Sequence, residues 1–365
     1  MRKTCRWLYV PAVFLLSLLL AGCVPPEVYS RDVVSLQQAL ARGGDANLAW
    51  SGWRPLNYAV FAGYPAYETR PGYEPATRLE KARLLLMAGA DPNGLAYGIG
   101  GMKSSPLTVS AWQCRADMAR LLLENGADPR AITETYGTPL SVIMVGGRCQ
   151  TVDEQYRMAF TLLDHVERTQ GREAMVAYAR MTARKTVRFL PIPPLHQAVW
   201  QKYYGVLAAL IEKRVDLDQL AAVGMPDQQV TALHLAESVG SADIAEILRR
   251  AGARDDILSS KGETPLAMRG RYVPVEATWT GAAVELAGVA AKVQSGDVIG
   301  NATTAYKNSI RQAMYTPTQA INRSERMRRS LGGPVYPPAN WTGLEDAIRK
   351  AQAAREADAR PARAR

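Results

Sequence analysis

The stretches 84-LLLMAGADPNG-94 and 121-LLLENGADPRA-131 decide how this chain is read. In each, three leucines mark a buried helix face, since leucine is a strong helix former. Gly then supplies a left-handed cap, Asp opens a turn, and Pro cannot continue the helix. The two ends lie 37 residues apart, the spacing of a repeated supersecondary unit.

Upstream of such ends lies a second signature. It occurs at 54-RPLNYAVFAG-63, 105-SPLTVSAWQC-114, 138-TPLSVIMVGG-147, 193-PPLHQAVWQK-202, 231-TALHLAESVG-240 and 264-TPLAMRGRYV-273. A Pro in the first helical turn gives up an N–H that would be orphaned there and presets φ. Weaker versions of the helix end stand at 36-LQQALARGGDAN-47, 210-LIEKRVDLD-218 and 247-ILRRAGARDD-256.

Together these motifs resemble the ankyrin repeat, with its Thr-Pro-Leu-His start and Leu-Leu-x-x-Gly-Ala-Asp end. The resemblance implies an all-α fold, an ankyrin-repeat solenoid of about five to six irregular repeats over residues 33–270. Inserts are expected near 64–78 and 165–190, the second containing an extra helical segment from Arg172 to Lys185. The unit from Gly262 has a start but no second helix, and reads as a cap. His196 and His234 take the place where this family braces a turn with imidazole. Their spacing is the repeat period, not that of metal ligands.

The family binds proteins in a groove formed by the turn tips and the first helices. That implies groove positions for Trp53, Phe61, Trp112, Val145, Trp200 and Ser238. Large aromatics are favoured interface anchors. Rings that pack between repeats would fit the same positions, and both readings stand. Tyr64, Tyr67 and Tyr73 of the first insert either extend the contact surface or pack their own loop. Cys114 and Cys149 fall in corresponding turns of successive repeats, which implies a disulfide; two free thiols are the alternative.

The N-terminus carries its own signal. Arg2, Lys3 and Arg6 precede an apolar run from Trp7 to Leu20, too short to span a bilayer as a mature helix. It ends in Leu20-Ala21-Gly22-Cys23, which resembles the lipobox of bacterial lipoproteins. The resemblance implies a signal peptide over 1–22, lipidation of Cys23, a tether over 23–32, and outer-membrane anchorage facing the periplasm, since Val24 follows the Cys instead of Asp. Several acyl chains anchor durably.

The formal charge is +10, but three positives lie in residues 1–22 and a net seven in residues 301–365, so residues 23–300 are neutral. A nucleic-acid-binding core would carry its positives on the folded face. Residues 271–341 read as helical pieces and Pro/Gly linkers, with helix-compatible stretches at 282–294 and 303–314, and another at 343–359. The Ala/Arg-rich residues 342–365 read as a basic tail, disordered from about 350. Its arginines and Arg326, Arg328 and Arg329 face anionic lipid, an acidic partner or water.

No G-x-S-x-G, H-E-x-x-H, Walker loop or Cys/His cluster occurs in the sequence. The chain therefore reads as a non-enzymatic binding protein without cofactor or metal. Periplasmic ankyrin-like lipoproteins are similar to immunity proteins that neutralise secreted antibacterial effectors, notably lipases delivered by type VI secretion. That likeness implies an occluding inhibitor; an envelope scaffold is the alternative.

Overall fold

A computed structural model describes residues 32–49, 52–61, 74–97, 103–132, 137–144, 147–182, 192–223, 228–271, 337 and 340–359. The signal segment, Cys23 and the tether lie outside them, as do most of 271–341 and residues 360–365. Among the described residues no helix is long and apolar enough to cross a membrane. The chain divides into two compact parts, Met1–Pro106 and Leu107–Arg365.

The first part holds α1 (Val33–Ala41), α2 (Pro55–Val60), α3 (Pro75–Met87) and an antiparallel hairpin of β1 (Ala96–Tyr97) and β2 (Lys103–Ser104). Helix α2 pairs with α3, and α1 packs on α3. The insert expected at 64–78 is shorter than that, because Pro75 already opens α3 at its first turn.

The second part continues with α4 (Pro106–Trp112), α5 (Ala116–Glu124), α6 (Pro139–Val142), α7 (Val152–Gln170), α8 (Arg172–Ala179), α9 (Pro194–Gln201) and α10 (Tyr204–Glu212). A second hairpin follows, β3 (Ala221–Ala222) with β4 (Gln229–Val230). Then come α11 (Ala232–Ser238), α12 (Ala242–Arg250), a 3-10 turn (Leu266–Met268) and α13 (Gly343–Ala359). First helices stack on first helices, α6 on α9 and α9 on α11; second helices stack on second helices, α5 on α7 and α7 on α10. The fold is all-α and built of ankyrin-type helix pairs.

The helix ends explain why one motif recurs. Gly43, Gly89, Gly126, Arg214 and Gly252 all have positive φ. In each case the next residue's N–H reaches back five positions, as Ala90 to Leu85 at 2.9 Å and Ala127 to Leu122 at 3.0 Å. This double back-bond satisfies carbonyls that the helix end leaves orphaned. Two residues further on, Asp45, Asp91, Asp128 and Asp216 accept from the backbone N–H two positions ahead, at 2.8–3.1 Å. Successive caps are also tied together: Asn47 bonds the Gly89 carbonyl and the Asp91 amide, and Asp218 accepts from the Arg254 amide at 2.9 Å.

A second staple runs from the fourth residue of the helix-start box to the hairpin of the next repeat, or, in the last unit, to its loop. Asn57 donates to the Ser104 carbonyl at 3.0 Å, His196 meets the Val230 carbonyl at 2.9 Å, and His234 meets the Glu263 carbonyl at 2.9 Å. The imidazoles therefore brace repeats, as their place in the motif predicts. Thr231 holds the Nδ1 of His234 at 2.7 Å, but Pro193 stands at that position before His196 and has neither hydroxyl nor N–H.

The third repeat departs from the rest. Its second helix, α7, has 19 residues where α5, α10 and α12 have nine each. A capping box starts it, with Thr151 and Glu154 each bonding the other's backbone N–H. No Gly-Ala-Asp ends it; Gly171, at φ 87°, turns the chain into α8, which packs back on α7. The extra helix thus ends at Ala179, short of the expected Lys185, and residues 183–191 lie outside the description.

Helix α10 seats closely on the start of α7. Gly205 faces Val152 and Tyr156 so tightly that a Cβ would collide with the Val152 carbonyl oxygen and the Tyr156 amide nitrogen. Gly205→Ala is expected to cost about 2 kcal/mol, because both obstructing atoms are backbone and cannot swing aside. Urea unfolding checks this; an unchanged midpoint would mean that α10 is not held against α7.

In the C-terminal tail the helix-compatible stretch 343–359 is a helix over its full length, so the disorder read from the Ala/Arg composition of residues 350–359 is corrected. Four small or aliphatic side chains, Leu344, Ala347, Ile348 and Ala351, are buried along one stripe of α13.

Candidate protein-binding surface

The expected groove residues fall into three groups. Trp53 and Phe61, in the first part, are half-buried and touch each other, with ring centroids 5.0 Å apart. Trp53 also meets Tyr58 edge-on at 5.9 Å. Such geometry is favourable for aromatic pairs. It makes Trp53 part of its own repeat's packing.

Trp112 and Trp200, in the second part, close the helices α4 and α9 and are likewise half-buried. The guanidinium of Arg148 lies 4.1 Å from the Trp112 ring centroid, and the Arg148 N–H donates to the Trp112 carbonyl at 2.7 Å. Cation and ring attract through the ring quadrupole, so this face of Trp112 is already occupied. The indole N–H of Trp200 is buried without a hydrogen-bond partner among the described residues.

Ser238 is a correction. It is fully buried, and its hydroxyl donates to the Leu235 carbonyl at 2.9 Å. The 3-10 turn of the last unit packs against α11, so this position does not open to a groove. Val145, Tyr64, Tyr67 and Tyr73 lie outside the described residues.

Cys114 and Cys149 are joined by a disulfide, with Cα atoms 5.1 Å apart. Cys114 holds the left-handed turn between α4 and α5 at φ 58°. Lys202 and Gly240 hold the equivalent turns at φ 56° and φ 69°. Cysteine stands here where Gly240 stands in a later repeat, and the neighbouring turn carries its mate. The bond ties the 147–151 segment to the Trp112 turn, beside the Arg148 stack.

A further set of residues escaped the sequence reading. Leu95, Ile132, Leu220 and Leu258 are 54%, 38%, 43% and 51% exposed. Each stands six residues after a left-handed helix cap, at Gly89, Gly126, Arg214 and Gly252 respectively. Four of the seven exposed large aliphatic or Met side chains among the described residues thus share one register. Within the second part, the loop bearing Leu258 is bonded to the hairpin behind Leu220, Ser260 N–H donating to the Gln229 carbonyl at 3.0 Å and the Gln229 N–H to the Ser260 hydroxyl at 2.8 Å. The signal was present as an aliphatic at a fixed offset from each cap, and repeat alignment would have found it.

Charged clusters nearby are structural. Glu237, almost wholly buried, binds Arg249 and also Arg269 at 2.7 Å, and these hydrogen bonds hold its carboxyl below the usual range. Lys213 meets Asp164 and Glu167 at 2.7 Å each. Among the described residues no group of three His, Cys, Asp or Glu side chains gathers as a metal site would.

No protein-family profile matches the chain, and no curated protein does. Solved structures similar to it include the ankyrin repeat domain of human ASB11, at 18% identity and TM-score 0.42, covering 69% of this chain and 94% of that one. Another is the ankyrin repeat domain of Bcl-3, a member of the IkappaB protein family, at 19% identity and TM-score 0.47, covering 67% of this chain and 92% of that one.

Proposed function

We propose that the chain is a membrane-tethered protein-binding module whose contact surface is the row of turn tips. The observation that carries this is the recurrence of exposed aliphatics, Leu220 and Leu258 among them, at one register of successive repeats. Apolar side chains held open on tied backbone are what a protein partner buries. Leu20-Ala21-Gly22-Cys23 supports lipidation at Cys23 and attachment to the outer membrane, facing the periplasm. On that membrane the module is an immunity protein: it occludes the active-site mouth of a secreted antibacterial lipase. Tethering raises its local concentration where such an enzyme acts.

Capture from periplasmic and secreted fractions, with mass spectrometry and a lipase assay of the captured set, tests both levels. Leu220→Asp with Leu258→Asp is expected to weaken capture about tenfold or more, as loss of two interface anchors does. Undiminished capture by that variant sinks the turn-tip surface. A captured set without lipase activity sinks the immunity role and leaves an envelope scaffold.

A further inference from the structure

Helix α13 occupies a place that the repeat pattern does not call for. It lies along α10, whose residues from Tyr204 to Ile211 are buried without exception. Helices α7 and α9 pack against α10 as in any stacked repeat, and α13 covers it as well. The buried side chains Leu344, Ala347, Ile348 and Ala351 follow the i, i+3, i+4, i+7 spacing of an amphipathic helix seated in an apolar trough.

Polar pins run the length of the contact. Glu345 accepts from Arg250 at 2.8 Å, Gln352 donates to the Arg250 carbonyl at 2.9 Å, Lys350 donates to Glu212 at 2.8 Å, and Asp358 pairs with Arg214. The guanidinium of Arg355 sits over Gly252, where a Cβ would strike it. On the α13 side these pins are open to solvent and individually weak, while Glu212 and Arg214 are themselves largely covered. Only two large aliphatic side chains are buried from α13. Such a contact holds when a tether keeps the helix close, and roughly 70 residues of chain separate Arg271 from α13.

We propose that the outer face of α10, with the C-terminal end of α12, is a helix-accepting surface, and that α13 is its exchangeable resident. A helix from another molecule enters when it carries the same short apolar stripe and an acid in its first turn to meet Arg250. This surface is separate from the turn tips and stands or falls without them.

The test uses the full chain with Ile348→Glu and Ala351→Glu, which place charge on the buried stripe and vacate the surface. A fluorescent peptide of residues 340–359 is titrated against this variant and against the unaltered chain by anisotropy. The peptide is expected to bind the variant saturably, and the unaltered chain at least about tenfold more weakly, because the tethered helix competes. A peptide carrying Ile348→Glu is expected to bind neither. No binding to the variant, or equal binding to both chains, overturns the proposal. Should the double variant not fold, Ala351→Glu alone vacates the same stripe and the same comparison decides. Adding Arg250→Glu to the vacated chain is expected to weaken the peptide, and Glu345→Lys in the peptide to restore it; failure to restore places the peptide elsewhere and overturns the assignment.

Discussion

Serine at both Cys114 and Cys149 is expected to lower the unfolding free energy by about 3–4 kcal/mol. The bond spans 35 residues of sequence, and cross-linking a loop of that length removes this much chain entropy from the unfolded state. The cost at Cys114's left-handed backbone is the same for serine and cysteine, so it cancels in the comparison. Denaturation with and without reductant measures the effect. The unaltered chain should fall to the serine variant's stability once reduced, and its thermal midpoint should drop by about 10 °C. A loss below about 1 kcal/mol would show that the 147–151 segment stays docked through Arg148 and Trp112 alone.

Mild acid is expected to weaken the fold through His196. The ring is buried, and its only hydrogen bond among the described residues runs from Nε2 to the Val230 carbonyl. Burial disfavours the charged form and pushes the ring from its ordinary 6.5 down to about 4. The unfolded chain therefore takes up the proton first as pH falls. Stability is intact above about pH 6.5, declines as pH falls toward 4, and levels off below, with a total on the order of 3 kcal/mol. Burial lowers His234 as well, in the same direction. Carboxyls held low by their partners, such as Glu237, give way only below its ordinary 4.5, so the interval above that belongs to the histidines. Urea midpoints at pH 7.5 and pH 5.0 should differ by about 2 kcal/mol in unfolding free energy. His196→Asn should lose most of that difference; an unaltered slope in the variant would assign the acid response to other groups.

Much of this architecture was written in short motifs. Gly-Ala-Asp fixed two helix ends, and the same hydrogen bonds recur at the weaker ends, including Arg214, where a charged side chain holds a conformation that usually takes glycine. The weaker end at 210–218 was legible, but not that Arg214 itself takes the left-handed cap, because a tied backbone overrides the residue's own preference. The Cys114 and Cys149 pairing was legible because stacked repeats bring equivalent turns together. Ser238 was misplaced for the opposite reason: its repeat is the last full one, and the short cap behind it closes what an inner repeat would leave open.

Helix α13 was readable as a helix but not as a docked one. Its own composition is that of a solvated tail. The informative residues lay elsewhere, in α10. Helix α5 carries Asp117, Arg120 and Glu124, and α12 carries Asp243, Glu246, Arg249 and Arg250, whereas α10 shows no charge from Tyr204 to Ile211. A second helix of a stacked repeat that lacks a polar side must be covered on that side too.

That bare flank has a consequence for biogenesis. Synthesis runs from the N-terminus, and Gly343 follows Glu212 by roughly 130 residues. Whichever way the chain emerges N-terminus first, from a ribosome or through an export channel, α10 appears before the helix that covers it. A chain with that oily strip on show is a natural client for chaperones until the seventeen-residue helix docks.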